Sequence, residues 1–93
     1  MKLHVTFSIS DLSVDDVIEG DGVADITHKA KLAIAERLGF LAGAFVRSMP
    51  DLEFAREVVR RYNGATGADC TLPPTVDRFV EWAIERKLAS AVD

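Results

Sequence analysis

Residues 2–10 alternate without a break. Leu3, Val5, Phe7 and Ile9 fall on one side; Lys2, His4, Thr6, Ser8 and Ser10 fall on the other. A period of two, with β-branched and aromatic residues on the apolar side, predicts a strand with one buried face. That strand constrains the chain more than anything after it, because even a two-stranded hairpin is marginal in water. The chain must supply a partner strand or take one from another subunit.

The remainder reads as helix. In Leu12–Gly20, Ser13 and Asp16 stand at the spacing of a capping box, and Val14, Val17 and Ile18 would share a face. This predicts a helix of one to two turns, stopped by Gly20-Asp21-Gly22. From Ile26 to Met49, Ile26, Ala30, Ala33, Ile34, Leu38, Leu41, Phe45 and Met49 trace one helical stripe. Beyond Leu38 this helix turns apolar all round, through Phe40, Leu41, Ala42, Ala44, Phe45 and Val46. Such a helix is normally surrounded by protein. Ala35, Gly39 and Gly43 recur every four residues. They either admit another backbone closely or mark a break, since Gly is a poor helix former.

Ser48-Met49-Pro50-Asp51 starts a further helix, with Leu52, Ala55, Val58, Val59 and Tyr62 on one face and its end at Asn63-Gly64. Residues 63–75 read as loop. A last helix is expected from about Pro74 to Ala91, its stripe made of Val76, Phe79, Val80, Ala83, Ile84 and Leu88, with Trp82 covering the edge.

The expected fold is therefore mainly α with one N-terminal β-strand (α+β). It is a small helical bundle of three main helices plus a short helical turn. The strand would pair with a short strand from residues 21–27 or across a dimer. Ninety-three residues make one domain, residues 1–93. Its expected core is Phe7, Leu38, Leu41, Phe45, Val59, Phe79 and Ile84.

Charge and cysteine content bound the function. Fifteen acids against eleven bases give a net charge of −4, which disfavours nucleic acid as a partner because phosphate neutralisation dominates such binding. The excess sits in residues 11–25, where Asp11, Asp15, Asp16, Glu19, Asp21 and Asp25 face no base. A solvated turn region is the expectation. The lone Cys70 allows no intrachain disulfide, which fits a reducing cytoplasm. The N-terminus lacks the pattern of a signal peptide. The longest uncharged run, Leu38–Val46, is far short of the roughly 20 residues a bilayer requires, so no membrane association is expected.

No catalytic chemistry stands out. His4 and His28 are the only histidines and have no metal-ligand spacing between them. No register of the acidic stretch supplies a calcium loop: from Asp15, Val17 and Ile26 fall where oxygens are required. Cys70 adjoins Asp69, which opposes thiolate formation. Gly64-Ala65-Thr66-Gly67 lacks the lysine of a phosphate loop. The reading is a non-enzyme without cofactor or metal.

Two local resemblances arise. The strand followed by Asp11-Leu12-Ser13-Val14-Asp15-Asp16-Val17 resembles the start of a ribbon-helix-helix repressor, which implies strands paired across a dimer and Lys2, His4 and Thr6 on DNA. Phe79-Val80-Glu81-Trp82-Ala83 and the basic residues after it are similar to the last helix of bacterial death-fold effector-associated domains, a fold without an N-terminal strand. Neither is adopted as the family of this chain.

The favoured function is a small cytoplasmic protein–protein interaction module. It could be a regulator, an adaptor or a phage-type accessory protein, acting as a homodimer and binding another protein. The alternative is a dimeric DNA-binding regulator that uses the strand. Phe40, Phe45, Arg56, Arg60 and Trp82 are the candidate contact residues. Arg56 and Arg60 form a basic row that could meet the acidic row Asp77, Glu81 and Glu85 if the last two helices pack antiparallel. Left unpaired, they would suit an acidic partner.

Overall fold

The structure is a computed structural model, and it describes residues 1–9 and 12–92. Strand β1 (Lys2–Ile9) is followed by β2 (Leu12–Glu19), then by helices α1 (Val23–Arg37), α2 (Phe40–Ser48), α3 (Asp51–Thr66) and α4 (Val76–Glu85), and by a short β3 (Ala89–Ala91). The sheet has three antiparallel strands in the order β2-β1-β3. The fold is thus α+β with a sheet packed on helices, and the expected bundle with a single strand is wrong. Ser10 and Asp11, the end of the alternating run and its first acid, lie outside the described residues.

β1 is satisfied within its own chain. Leu3 pairs with Ile18, Phe7 with Val14, and β3 covers the other edge from Leu3 to Val5. Neither a dimer nor residues 21–27 supplies the partner: Val23 already begins α1. The segment read as a helical turn is β2. Val14 and Ile18 are buried in it, but Val17 points out and is 56% exposed. Asp16 occupies the core-facing position opposite Val5. There its carboxylate meets Arg37 of α1 at 2.7 Å. That inward acid and outward valine hide the alternation, while pairing with β1 outweighs a local cap signal over a helix too short to stand alone.

The acids of this segment have a second effect. β2 is an edge strand carrying Asp15, Asp16 and Glu19. Charges on an edge discourage pairing with another sheet.

The long helix expected over residues 26–49 is broken. Leu38 and Gly39 are both extended, with ψ of 163° and 169°, so α2 leaves α1 at an angle. Gly43 then brings α2 onto α1: a Cβ there would stand 2.6 Å from the Ala35 carbonyl oxygen. Both readings of the small-residue row therefore hold, at different glycines. Helix α3 runs through Gly64 and stops at Gly67, whose φ of 75° is the left-handed cap that glycine adopts without penalty.

The last helix ends early. Lys87 takes a positive φ of 62°. The Lys87 N–H donates to the Ile84 carbonyl, and the Leu88 N–H to that of Ala83 at 2.8 Å. This is a Schellman cap with lysine in glycine's usual place, and it turns the chain back into β3.

Two adjoining clusters form the core. One gathers Leu3, Ile18, Ile26, Ala55, Val59, Phe79, Val80 and Ala89; the other gathers Phe7, Val14, Ile34 and Phe54. Of the seven expected core residues, Phe7, Val59 and Phe79 are buried. Leu38 is half-buried, and Leu41, Phe45 and Ile84 are 81%, 67% and 40% exposed. The break at Gly39 rotates α2 away from the stripe that α1 begins. Ile84 sits in the last turn of α4.

Candidate functional site

Helix α2 is the outlier of the fold. Gly43 alone is buried on it. Phe40 is 88% exposed, and Leu41, Ala44 and Phe45 also face outward. Three large apolar side chains exposed on nine helical residues are of the kind that marks an interaction surface.

The inner flank of α2 borders a groove of about 580 Å³. Phe7, Ile34 and Phe54, all buried, form its floor. Val46 of α2 and Met49, which caps it, face Val58 of α3 across it, and Glu57 and Arg61 stand at its mouth. The second core cluster is therefore open to solvent between α2 and α3.

The far end of α2 is pinned. Lys31 of α1 is 4% exposed. Its Nζ donates to the Met49 carbonyl at 2.8 Å and pairs with Asp51 Oδ1 at 2.9 Å. The same oxygen lies 3.0 Å from His28 Nδ1. Burial raises the Asp51 pKa, but the hydrogen bonds from Lys31 and His28 outweigh it and hold the carboxyl below its ordinary value of 3.8. The cluster ties the α2–α3 junction to α1. Its lysine has two acceptors already, which suits a clamp and not a nucleophile. Among the described residues, no group of three His, Cys, Asp or Glu side chains is placed to hold a metal ion.

The five residues singled out from sequence do not form one site. Phe40 and Phe45 are exposed on α2. Arg56 donates to the Pro73 carbonyl at 3.1 Å and lies 3.9 Å from Glu53. Arg60 lies 3.9 Å from Glu57. The basic and acidic rows do not meet among the described residues: Glu81 pairs with Arg78 along α4 at 3.2 Å.

Trp82 is part of the packing. It stacks on Phe79 at 6.0 Å between centroids, and Tyr62 meets its ring edge-on at 5.1 Å. Among the described residues its Nε1 is the one buried side-chain polar atom without a hydrogen-bond partner. Trp82→Phe should therefore keep stability within about 1 kcal/mol, because no hydrogen bond is lost. Trp82→Ala should cost about 2–3 kcal/mol through lost packing. Chemical denaturation of both variants checks this; a larger loss in the phenylalanine variant would mean that the indole N–H is bonded.

Arg61 and the groove were missed from sequence. Among the described residues, seven of the eleven basic side chains pair with an acid within 4.0 Å. The other four are Arg47 on α2, Arg61 on α3, and Arg86 and Lys87 just after α4. Nothing in the spacing of Arg56, Arg60 and Arg61 tells which of them keeps its charge unmatched.

The chain matches no family model, no curated protein and no solved structure. Among the described residues, no helix is long and apolar enough to cross a membrane.

Proposed function

We propose that this chain is a small non-catalytic protein–protein interaction module of the cytoplasm that acts as a homodimer through the outward face of α2. The observation that carries the reading is the exposure of Phe40, Leu41 and Phe45 on one short helix. A closed twofold dimer would cover that face with its own copy, and such dimers are the commonest soluble assembly. The free thiol of Cys70 accords with a reducing compartment. The DNA-binding alternative draws less support. On the polar side of the sheet, Asp15 and Glu19 stand against His4 and Lys2, which leaves no surplus of positive charge for phosphates.

Light scattering over a range of concentrations tests the dimer. The wild-type chain should show twice the monomer mass, and Leu41→Glu should show the monomer mass with an unchanged circular dichroism spectrum. Wild-type protein that stays monomeric at high concentration overturns the reading.

A further inference from the structure

We propose that the groove between α2 and α3 docks a helix of another protein, apolar on one face and carrying an acidic residue where it passes Arg61. This rests on reading the chain as an interaction module; the groove shares Phe45 with the self-association face but not Phe40 or Leu41.

The groove is built for a helix. Phe54, Val58, Arg61 and Ala65 of α3 line it at successive helical turns, so that wall runs for about 16 Å at 1.5 Å per residue, or three turns. Ala42, Phe45 and Val46 of α2, with the extended cap residue Met49, form the opposing ridge. Two such ridges over an apolar floor receive the apolar face of an amphipathic helix through anchors three, four and seven residues apart. The floor is the second core cluster itself, so an entering side chain joins a layer of protein packing already begun by Phe7, Ile34 and Phe54.

Charge names the partner's sign. The chain carries −4 overall, yet the unmatched charge on the groove's two helices is positive. Glu57 at the mouth is already opposite Arg60 at 3.9 Å. Arg61 and Arg47 pair with no acid among the described residues. An anionic residue on the incoming helix would complement Arg61. A second copy does not meet this requirement through α2, which carries Arg47 and no acid. The proposed occupant is an acidic segment of a different protein; binding of a peptide of this chain's own α4, which carries Asp77, Glu81 and Glu85, would overturn that assignment.

Panning a phage-displayed library of random 12-residue peptides against the full chain tests this. Enriched peptides should combine apolar residues at helical spacing with Asp or Glu. They should bind Arg61→Glu about tenfold more weakly, as an attraction becomes a repulsion, and should bind Leu41→Glu unchanged. Replacing the peptide's acid with lysine should restore binding to Arg61→Glu. Because Arg61 is exposed, its charge reversal should leave the melting temperature near wild type. Val58→Glu supplies a second block at the groove wall. Failure to enrich peptides, enrichment without acidic residues, or equal binding to Arg61→Glu overturns the proposal. So does binding of dodecanoate or anionic vesicles in place of peptides. A dimeric protein with no acidic peptide preference removes this proposal alone; selected acidic peptides on a monomeric protein remove only the homodimer.

Discussion

Truncating Phe54 to alanine is expected to lower the unfolding free energy by about 3–4 kcal/mol, whereas Phe45→Ala should change it by about 0.5 kcal/mol or less. Phe54 is 3% exposed, in the first turn of α3, and its ring meets Phe79 edge-on at 6.4 Å. It joins the two core clusters, so its loss removes contacts from both. The adjoining groove gives the neighbours room to collapse, which keeps the cost below the upper end for a buried phenylalanine. Against the roughly 5–15 kcal/mol that holds a domain folded, the loss is large. Phe45 has the same chemistry but is 67% exposed. Urea denaturation at a protein concentration below self-association compares the two directly. Equal losses would mean that α2 packs on the core.

Asp51→Ala is expected to destabilise the fold by about 2–4 kcal/mol, because it strands the Lys31 ammonium in the interior. The Lys31 side chain is 5% exposed. Without Asp51, the Met49 carbonyl would be its one remaining partner. The Asp51 side chain is 32% exposed, so solvent already weakens the pair, and the expected loss lies below that of a fully buried one. Adding Lys31→Met should recover more than half of it, since an apolar side chain of similar length needs no partner there. A double variant no more stable than Asp51→Ala would show that the buried charge is not the cause.

The same cluster sets a pH dependence. The Asp51 carboxyl has a lower pKa in the fold than its ordinary 3.8. Its contribution is therefore fully present above about pH 4 and is lost as the pH falls through the folded value. Acid unfolding of Asp51→Ala should be shallower across that window, measured by circular dichroism from pH 5 to 2.

Several elements of this protein were legible in its sequence. The alternation in residues 2–9 determined β1 and its buried face. The helical stripes determined that Val59 and Phe79 are interior, and punctuation by Pro50 located the start of α3. These signals are local, because each arises from the periodicity of a single element. What the tertiary structure decided involves residues far apart in the chain. β2 is a strand because β1 needs an edge partner, and its inward Asp16 is tolerated because Arg37, twenty-one residues later, answers it. β3 exists because Lys87 accepts a left-handed conformation that no local preference announces. Composition along residues 38–46 says only that the segment is apolar. Whether Phe40 and Phe45 are core or surface depends on the direction in which the chain leaves Gly39. The same holds for Arg56, Arg60 and Arg61: they are chemically alike in sequence, and which of them keeps an unmatched charge is set by the side chains that folding brings beside each one.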